Sequence, residues 1–118
     1  MEASATSRYQ QGSAKKLGPV VELIRGKEVP EALRTLTFLT RATKAPVLKT
    51  LRSAVANAIA QAGKAKLHEE DLVVTDARID QGPTQKRWRP GPRGGASVIR
   101  KRSCHVIIRV ATKKGVEA

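Results

Sequence analysis

The densest chemistry in the 118-residue chain lies in one stretch, GPTQKRWRPGPRGGASVIRKRS, at positions 82 to 103. It carries seven Lys or Arg side chains, no acid, and the chain's only Trp, Trp88, between Arg87 and Arg89. Guanidinium groups fork onto phosphate oxygens, and an indole offers a flat face on which a base or sugar can stack. That is the chemistry of nucleic-acid contact. The plainer alternative is a solvated loop, but a run of one sign repels itself where mixed charges would serve solubility better. A second cluster lies near the start, where Lys15 and Lys16 follow Ser13. If Ser13 caps a helix, both lysines sit in its first turn, where the helix dipole disfavours cations. A phosphate docked on the free N–H groups of that turn would relieve the conflict. Lysines that simply extend into water are the other reading. Arg25 and Lys27 bracket the far end of the same helix, where cations are favourable in any case.

Other reactive side chains do not assemble into a catalyst. Cys104 and His105 are neighbours, and on a strand neighbours point to opposite faces, so they form no thiolate–imidazole pair. His68 stands beside Glu69, Glu70 and Asp71, the one place where a metal-dependent hydrolase could be built. A solvated turn before a strand accounts for the same residues. Neither GxxxxGK[ST] nor GxGxxG occurs, so phosphate-cradling loops of the nucleotide-binding kind are missing. The expectation is no enzyme, no cofactor and no metal.

The bulk charge agrees. The formal net charge is +13, and between residues 81 and 116 ten basic side chains meet no acid. Such a field selects polyanions. No uncharged stretch approaches the roughly 20 residues that cross a bilayer, so membrane insertion is not expected. The chain does not open like a secretory signal. One Cys excludes an internal disulfide and suits a reducing, cytoplasmic setting.

The elements that must position these groups read as α+β. MEASATS is a polar lead, and RYQQ a short edge strand. A helix follows Ser13, with Leu17, Val20, Val21 and Ile24 inward and Gly26 just past its end. Pro19 inside it predicts a kink or a start later than Ser13. A second helix carries Pro30 in its first turn, with Ala32, Leu33 and Leu36 inward. A third, capped by Thr43 and closed by Gly63, shows a stripe of Val47, Leu48, Leu51, Val55, Ala58 and Ile59. Two strands follow, with Val73, Thr75, Ala77 and Ile79 on one face and Cys104, Val106, Ile108 and Val110 on one face of the other. They flank the cationic stretch, which makes a long hairpin. Its arms, about eleven residues at roughly 3.3 Å each, reach on the order of 35 Å. A bare cationic arm of that length needs a folded polyanion around it, and large structured RNA offers one. The expected architecture is three helices packed on a small antiparallel sheet with a long protruding basic hairpin. It is one domain of residues 1–118, with a globular part at 7–80 and 103–113 and a hairpin at 81–102.

The segments ELIRGK (Glu22–Lys27), SAVANA (Ser53–Ala58) and DQGPTQKRWRPGPRGGASVIRKRSCH (Asp80–His105) closely resemble the bacterial large-subunit ribosomal protein 22 family, in the same order over nearly the whole chain. The resemblance implies a non-catalytic constituent of the large ribosomal subunit. Its partners would be large-subunit ribosomal RNA, neighbouring ribosomal proteins and, at the exit-tunnel wall, the nascent peptide. Together the residues and the resemblance give RNA contacts at Arg8, Lys15, Lys16, Arg25, Lys27, Lys86, Arg87, Trp88, Arg89, Arg93, Arg100, Lys101 and Arg102. The tunnel-lining tip corresponds to Pro90, Gly91, Pro92, Arg93 and Gly94. Departures from the family pattern are Ala14 for a first-turn proline, Gly18-Pro19 for a basic–apolar pair, and Gly91 and Gly95 where arginines are common. They imply fewer phosphate contacts and a less regular helix near the start, and less charge at the tip. A free-standing RNA chaperone using the Arg/Trp loop is the rival reading.

Overall fold

The computed structural model describes residues 2–62 and 68–112. Three helices, α1 (Ala14–Ile24), α2 (Val29–Phe38) and α3 (Lys44–Ala62), pack on a sheet of three strands, β1 (Glu2–Gln11), β2 (Leu72–Pro90) and β3 (Ala96–Thr112). The strand order is β1-β3-β2, antiparallel throughout. The fold is α+β as expected. β3 lies in the centre because it alone has apolar residues at every second position of its inner half: Cys104, Val106, Ile108 and Val110 are all fully buried. The helices cover that face with Leu17, Val20, Val21, Ile24, Val29, Leu36, Val47 and Leu51, each 2% exposed or less. At about 1.5–3 kcal/mol for each large apolar side chain removed from water, this layer is the main source of stability.

The N-terminal residues differ from the expected polar lead. β1 begins at Glu2 and buries Ala3 and Ala5 against α3, so residues 2–6 belong to the sheet. Two alanines alternating with polar residues are too small to announce a strand, and β3's pairing supplies what their propensity lacks. α1 begins directly after Ser13, whose Oγ accepts from the Lys16 N–H at 3.3 Å, and it runs unbroken through Pro19. A later start is therefore excluded. Gly18 removes one of the obstacles, because it has no Cβ for the following proline ring to strike.

In α3 the stripe is Val47, Leu51, Ala54, Val55 and Ala58, with Thr50 buried among them; Leu48 is half-buried and Ile59 is exposed. Ile59 thus lies off the expected face, which Ala54 and Thr50 fill instead. Thr43 does not cap this helix, since its Oγ1 is buried without a hydrogen-bond partner. Gly63, expected to close it, lies outside the described residues.

The inner face of β2 also departs from simple alternation. Leu72 and Val74 are buried, Thr75 is exposed, and then Ala77 is buried with Ile79 packed on the core. The pairing steps from Val74↔Val110 to Asp76↔Arg109, so Thr75 is an extra residue that reverses the phase. The expected face, Val73 with Thr75, is wrong before this bulge and right after it.

Beyond the core, β2 and β3 continue as a two-stranded ribbon to Pro90↔Ala96. The described residues span 67 × 25 × 16 Å. A second bulge marks the root of the ribbon, where Gly82 and Pro83 face Ser103. A Cβ on Gly82 would lie 2.7 Å from Ser103 Oγ and 3.2 Å from its backbone, so a larger residue would displace the Ser103 hydroxyl.

The burial difference along α3 has a measurable consequence. Leu51→Ala should lose about 2–5 kcal/mol in urea unfolding. Ile59→Ala should stay within about 1 kcal/mol of wild type. Equal losses would mean that Ile59 shares the core.

Candidate nucleic-acid interface

The two cationic clusters of the sequence converge at the root of the ribbon. The Gly12 N–H donates to the Arg102 carbonyl at 3.1 Å, which holds the start of α1 against β3. A cleft there is lined by Ser13, Ala14, Lys15, Lys16, Gln81, Arg102 and Ser103. A second, opening beside it, is lined by Lys16 with Arg100, Lys101 and Arg102. Residues 15–16 and 100–102 are remote in sequence, yet they border one concave surface. Ala14 and Lys15, whose backbone N–H groups have no partner among the described residues, line the first cleft, and no acid lines either. Free N–H groups, a positive dipole end and several cations in one hollow form an anion site. Lys15 and Lys16 are unfavourable for the helix alone and favourable once a phosphate sits there.

Along the ribbon, register decides which cations act together. Residues directly opposite share a face, and Lys86↔Arg100, Trp88↔Val98 and Thr84↔Arg102 put Lys86, Trp88, Arg100 and Arg102 on one side. The pairs Gln85↔Lys101, Arg87↔Ile99 and Arg89↔Ser97 put Arg87, Arg89 and Lys101 on the other. Trp88 is therefore not flanked by the guanidinium groups of Arg87 and Arg89. They point away from it, and its same-face cations are Lys86 and Arg100. The indole is 67% exposed, which leaves its face free for stacking.

Three positive side chains thus stand on each side of the ribbon, and no acid lies between residues 81 and 116 to balance them. Lys86 directly opposite Arg100 is a like-charge cross-strand pair, a placement that destabilises a sheet in water. Among the described residues, Arg87 alone of these cations donates side-chain hydrogen bonds, to Gln85 Oε1 at 3.2 Å and to the Lys86 carbonyl at 3.1 Å. The tip, Pro90 to Gly94, turns through Arg93 in the left-handed region (φ 57°) and Gly94 (φ 74°). It is closed by the Gly91 N–H donating to the Gly95 carbonyl at 2.6 Å.

The remaining expected contacts lie elsewhere. Arg25 directs both Nε and Nη2 at the Ala77 carbonyl, at 3.0 and 2.6 Å, and so ties α1 to β2. The Lys27 carbonyl accepts from the Val74 N–H at 2.9 Å, beside Arg25 and at the opposite end of α1 from the root cleft. Arg8 lies on the face of the sheet away from the helices, in a pocket with Arg78 and Arg109. Sequence reading missed those last two, although strand alternation opposite Ala77 and Ile108 marks them. At His68 the backbone N–H donates to Asp71 Oδ2 at 3.1 Å, a turn closed by its own carboxylate. Among the described residues, no three His, Cys, Asp or Glu side chains are disposed to hold a metal ion.

The family described as "Ribosomal protein L22p/L17e" matches residues 5–111. Among curated proteins, the chain is 45% identical to the large ribosomal subunit protein uL22 of Acidothermus cellulolyticus, over 98% of this chain and 46% of that one. It is 42% identical to the protein of the same name from Bifidobacterium longum strain DJO10A, over 98% of each chain. Its identity to that of Bifidobacterium animalis subsp. lactis is 41%, with the same coverage.

Cys104 stands apart from the charged surface, fully buried on the inner face of β3 while His105 turns outward. Burial pushes its thiol above the ordinary range, because desolvation penalises the thiolate. The native thiol should therefore react with a disulfide reagent at least about tenfold more slowly than in urea. The raised value favours the fold at pH below the ordinary thiol range. That contribution should fade as pH rises through the thiol's native-state range, visible as falling thermal stability that Cys104→Ser lacks.

Proposed function

The chain belongs to the ribosomal protein L22p/L17e family, and from that premise we propose that it is a structural constituent of the large ribosomal subunit, binding and organising large-subunit ribosomal RNA in the cytoplasm. The family is structural and non-catalytic. Within the reading, the root cleft takes phosphates on Lys15, Lys16 and Arg102, and the ribbon carries Lys86, Arg87, Arg89, Arg100 and Lys101 into RNA on both sides. Trp88 stacks on a base, and the tip from Pro90 to Gly94 lies at the wall of the nascent-peptide exit tunnel. One observation carries it: a ribbon cationic on both faces, rooted beside a cationic helix N-terminus. Such a ribbon is suited to a polyanion that surrounds it, which a folded RNA can do. A membrane surface would meet only one face. Among the described residues, no helix is long and apolar enough to cross a membrane.

Salt dependence tests the electrostatic part. With roughly six to ten phosphates neutralised, log K for the isolated protein on large-subunit ribosomal RNA should fall with log salt at a slope of about −5 to −9. A slope shallower than about −2 would mean that these side chains face solvent, and the reading would fail.

Removing residues 88–96 tests the division between root and tip. The tip offers shape more than affinity, since Arg89 and Arg93 are its only charges. The shortened protein should enter large subunits near normal occupancy and change the chemical reactivity of tunnel-wall nucleotides. Its absence from assembled subunits, while folded by circular dichroism, would make the tip the main anchor.

A further inference from the structure

The face of the sheet turned away from the helices carries a feature that the ribbon and its root do not use. Between Ser7↔Val106 and Gln10↔Cys104, β1 holds two residues, Arg8 and Tyr9, against His105 alone. Tyr9 adopts φ 57°, a left-handed conformation that a bulky side chain rarely takes. Its N–H donates to His105 Nδ1 at 3.0 Å. The two rings meet edge to face, with centroids 5.0 Å apart and planes at 89°. The phenol ring is thus fixed in place from below while remaining 67% exposed. Nothing in the core requires it there.

Around this ring, Arg8, Arg78, Arg109 and Asp80 line one shallow pocket. The three guanidinium groups make no hydrogen bond or ion pair among the described residues. Asp80 is the only acid in the lining, and Asp76 stands directly opposite Arg109 in the ladder, so three positive charges less two leave one in excess. Ile107 is the only large aliphatic side chain there. Protein interfaces also use Tyr and Arg, but around a fully buried apolar centre, and one aliphatic side chain does not make such a centre here. A fixed, exposed aromatic ring beside guanidinium groups that outnumber the acids around them suits a base with phosphates on either side of it.

We infer that the open face of the sheet is a second RNA-contact surface, with Tyr9 stacking on an unpaired base and Arg8, Arg78 and Arg109 holding the adjoining phosphates. The inference rests on RNA being the ligand, as proposed above, but concerns a different face from the root cleft. It is tested by equilibrium binding of the full-length protein to large-subunit ribosomal RNA. Tyr9→Ala should weaken binding on the order of tenfold, and Tyr9→Phe, which keeps the ring, by less than about twofold. Arg78→Gln should weaken it several-fold and reduce the steepness of the salt slope by about one. Ultraviolet irradiation of assembled subunits should join Tyr9 to a nucleotide, detected by mass spectrometry.

Wild-type affinity in both Tyr9→Ala and Arg78→Gln, with Lys16→Gln and Arg102→Gln impaired, would overturn this inference and leave the root cleft standing. A shallow wild-type slope with no variant impaired would instead remove the RNA reading itself. A Tyr9 adduct to a protein would assign the face to a protein partner and overturn the inference. Should Tyr9→Ala fail to fold, the exposed Arg78→Gln decides alone.

Discussion

Pairing between β2 and β3 does two jobs that make opposite demands on side chains. Near the core the two strands must turn apolar residues inward, and Val74, Ala77, Val106 and Ile108 do so. Beyond Gln81 the same ladder continues with no core beneath it, and its side chains are cationic on both faces. Backbone hydrogen bonds bridge the change, since they are indifferent to which side chains they carry. The inner half anchors the outer half, because a two-stranded ribbon alone is marginal in water. The helices serve the arrangement by covering the inner half, and the start of α1 is fixed where the character of the ladder changes.

That change is managed by irregularities. Gly82 and Pro83 form a bulge against Ser103, whose hydroxyl donates to the Pro83 carbonyl at 2.6 Å. Bulges raise twist and re-aim a strand. This one lies where the ribbon leaves the globular part, beside the root cleft. The Thr75 bulge acts earlier on the same strand and exchanges its inner and outer faces. Arg25 then grips the Ala77 carbonyl just past it, adding a charge-assisted donor to an edge strand that the Gly26 N–H and the Lys27 carbonyl already meet at Val74.

Strong, local periodicity was legible in the chain. Cys104, Val106, Ile108 and Val110 alternate without interruption, and Leu17, Val20, Val21 and Ile24 repeat at helical spacing, so β3 and α1 could be read directly. Thr75 could not, because an inserted residue looks like its neighbours until a partner strand supplies the register. Ile59 was misplaced for a related reason: Ala54 and Thr50 are small or polar, and they announce a buried face weakly. The position of Trp88 relative to Arg87 and Arg89 was legible in principle, since strand alternation separates neighbours. Adjacency in sequence suggested a sandwich that the pleat forbids. Most of the root cleft was hidden, because the meeting of Lys16 with Arg102 depends on pairing across the length of the chain.

The two-sided charge of the ribbon bears on time as well as on affinity. A patch on one surface can leave a flat RNA face by simple dissociation, each contact breaking as the surfaces separate. A ribbon satisfied by phosphates above and below has no such exit. RNA must part to admit it or close over it afterwards, and must reopen before it can leave. Under the proposed reading, residence would then be governed by rearrangement of the nucleic acid rather than by the sum of contacts. A protein of modest core would behave as a fixture once enclosed, and its moment of entry during particle construction would be restricted to the interval before the surrounding strands close.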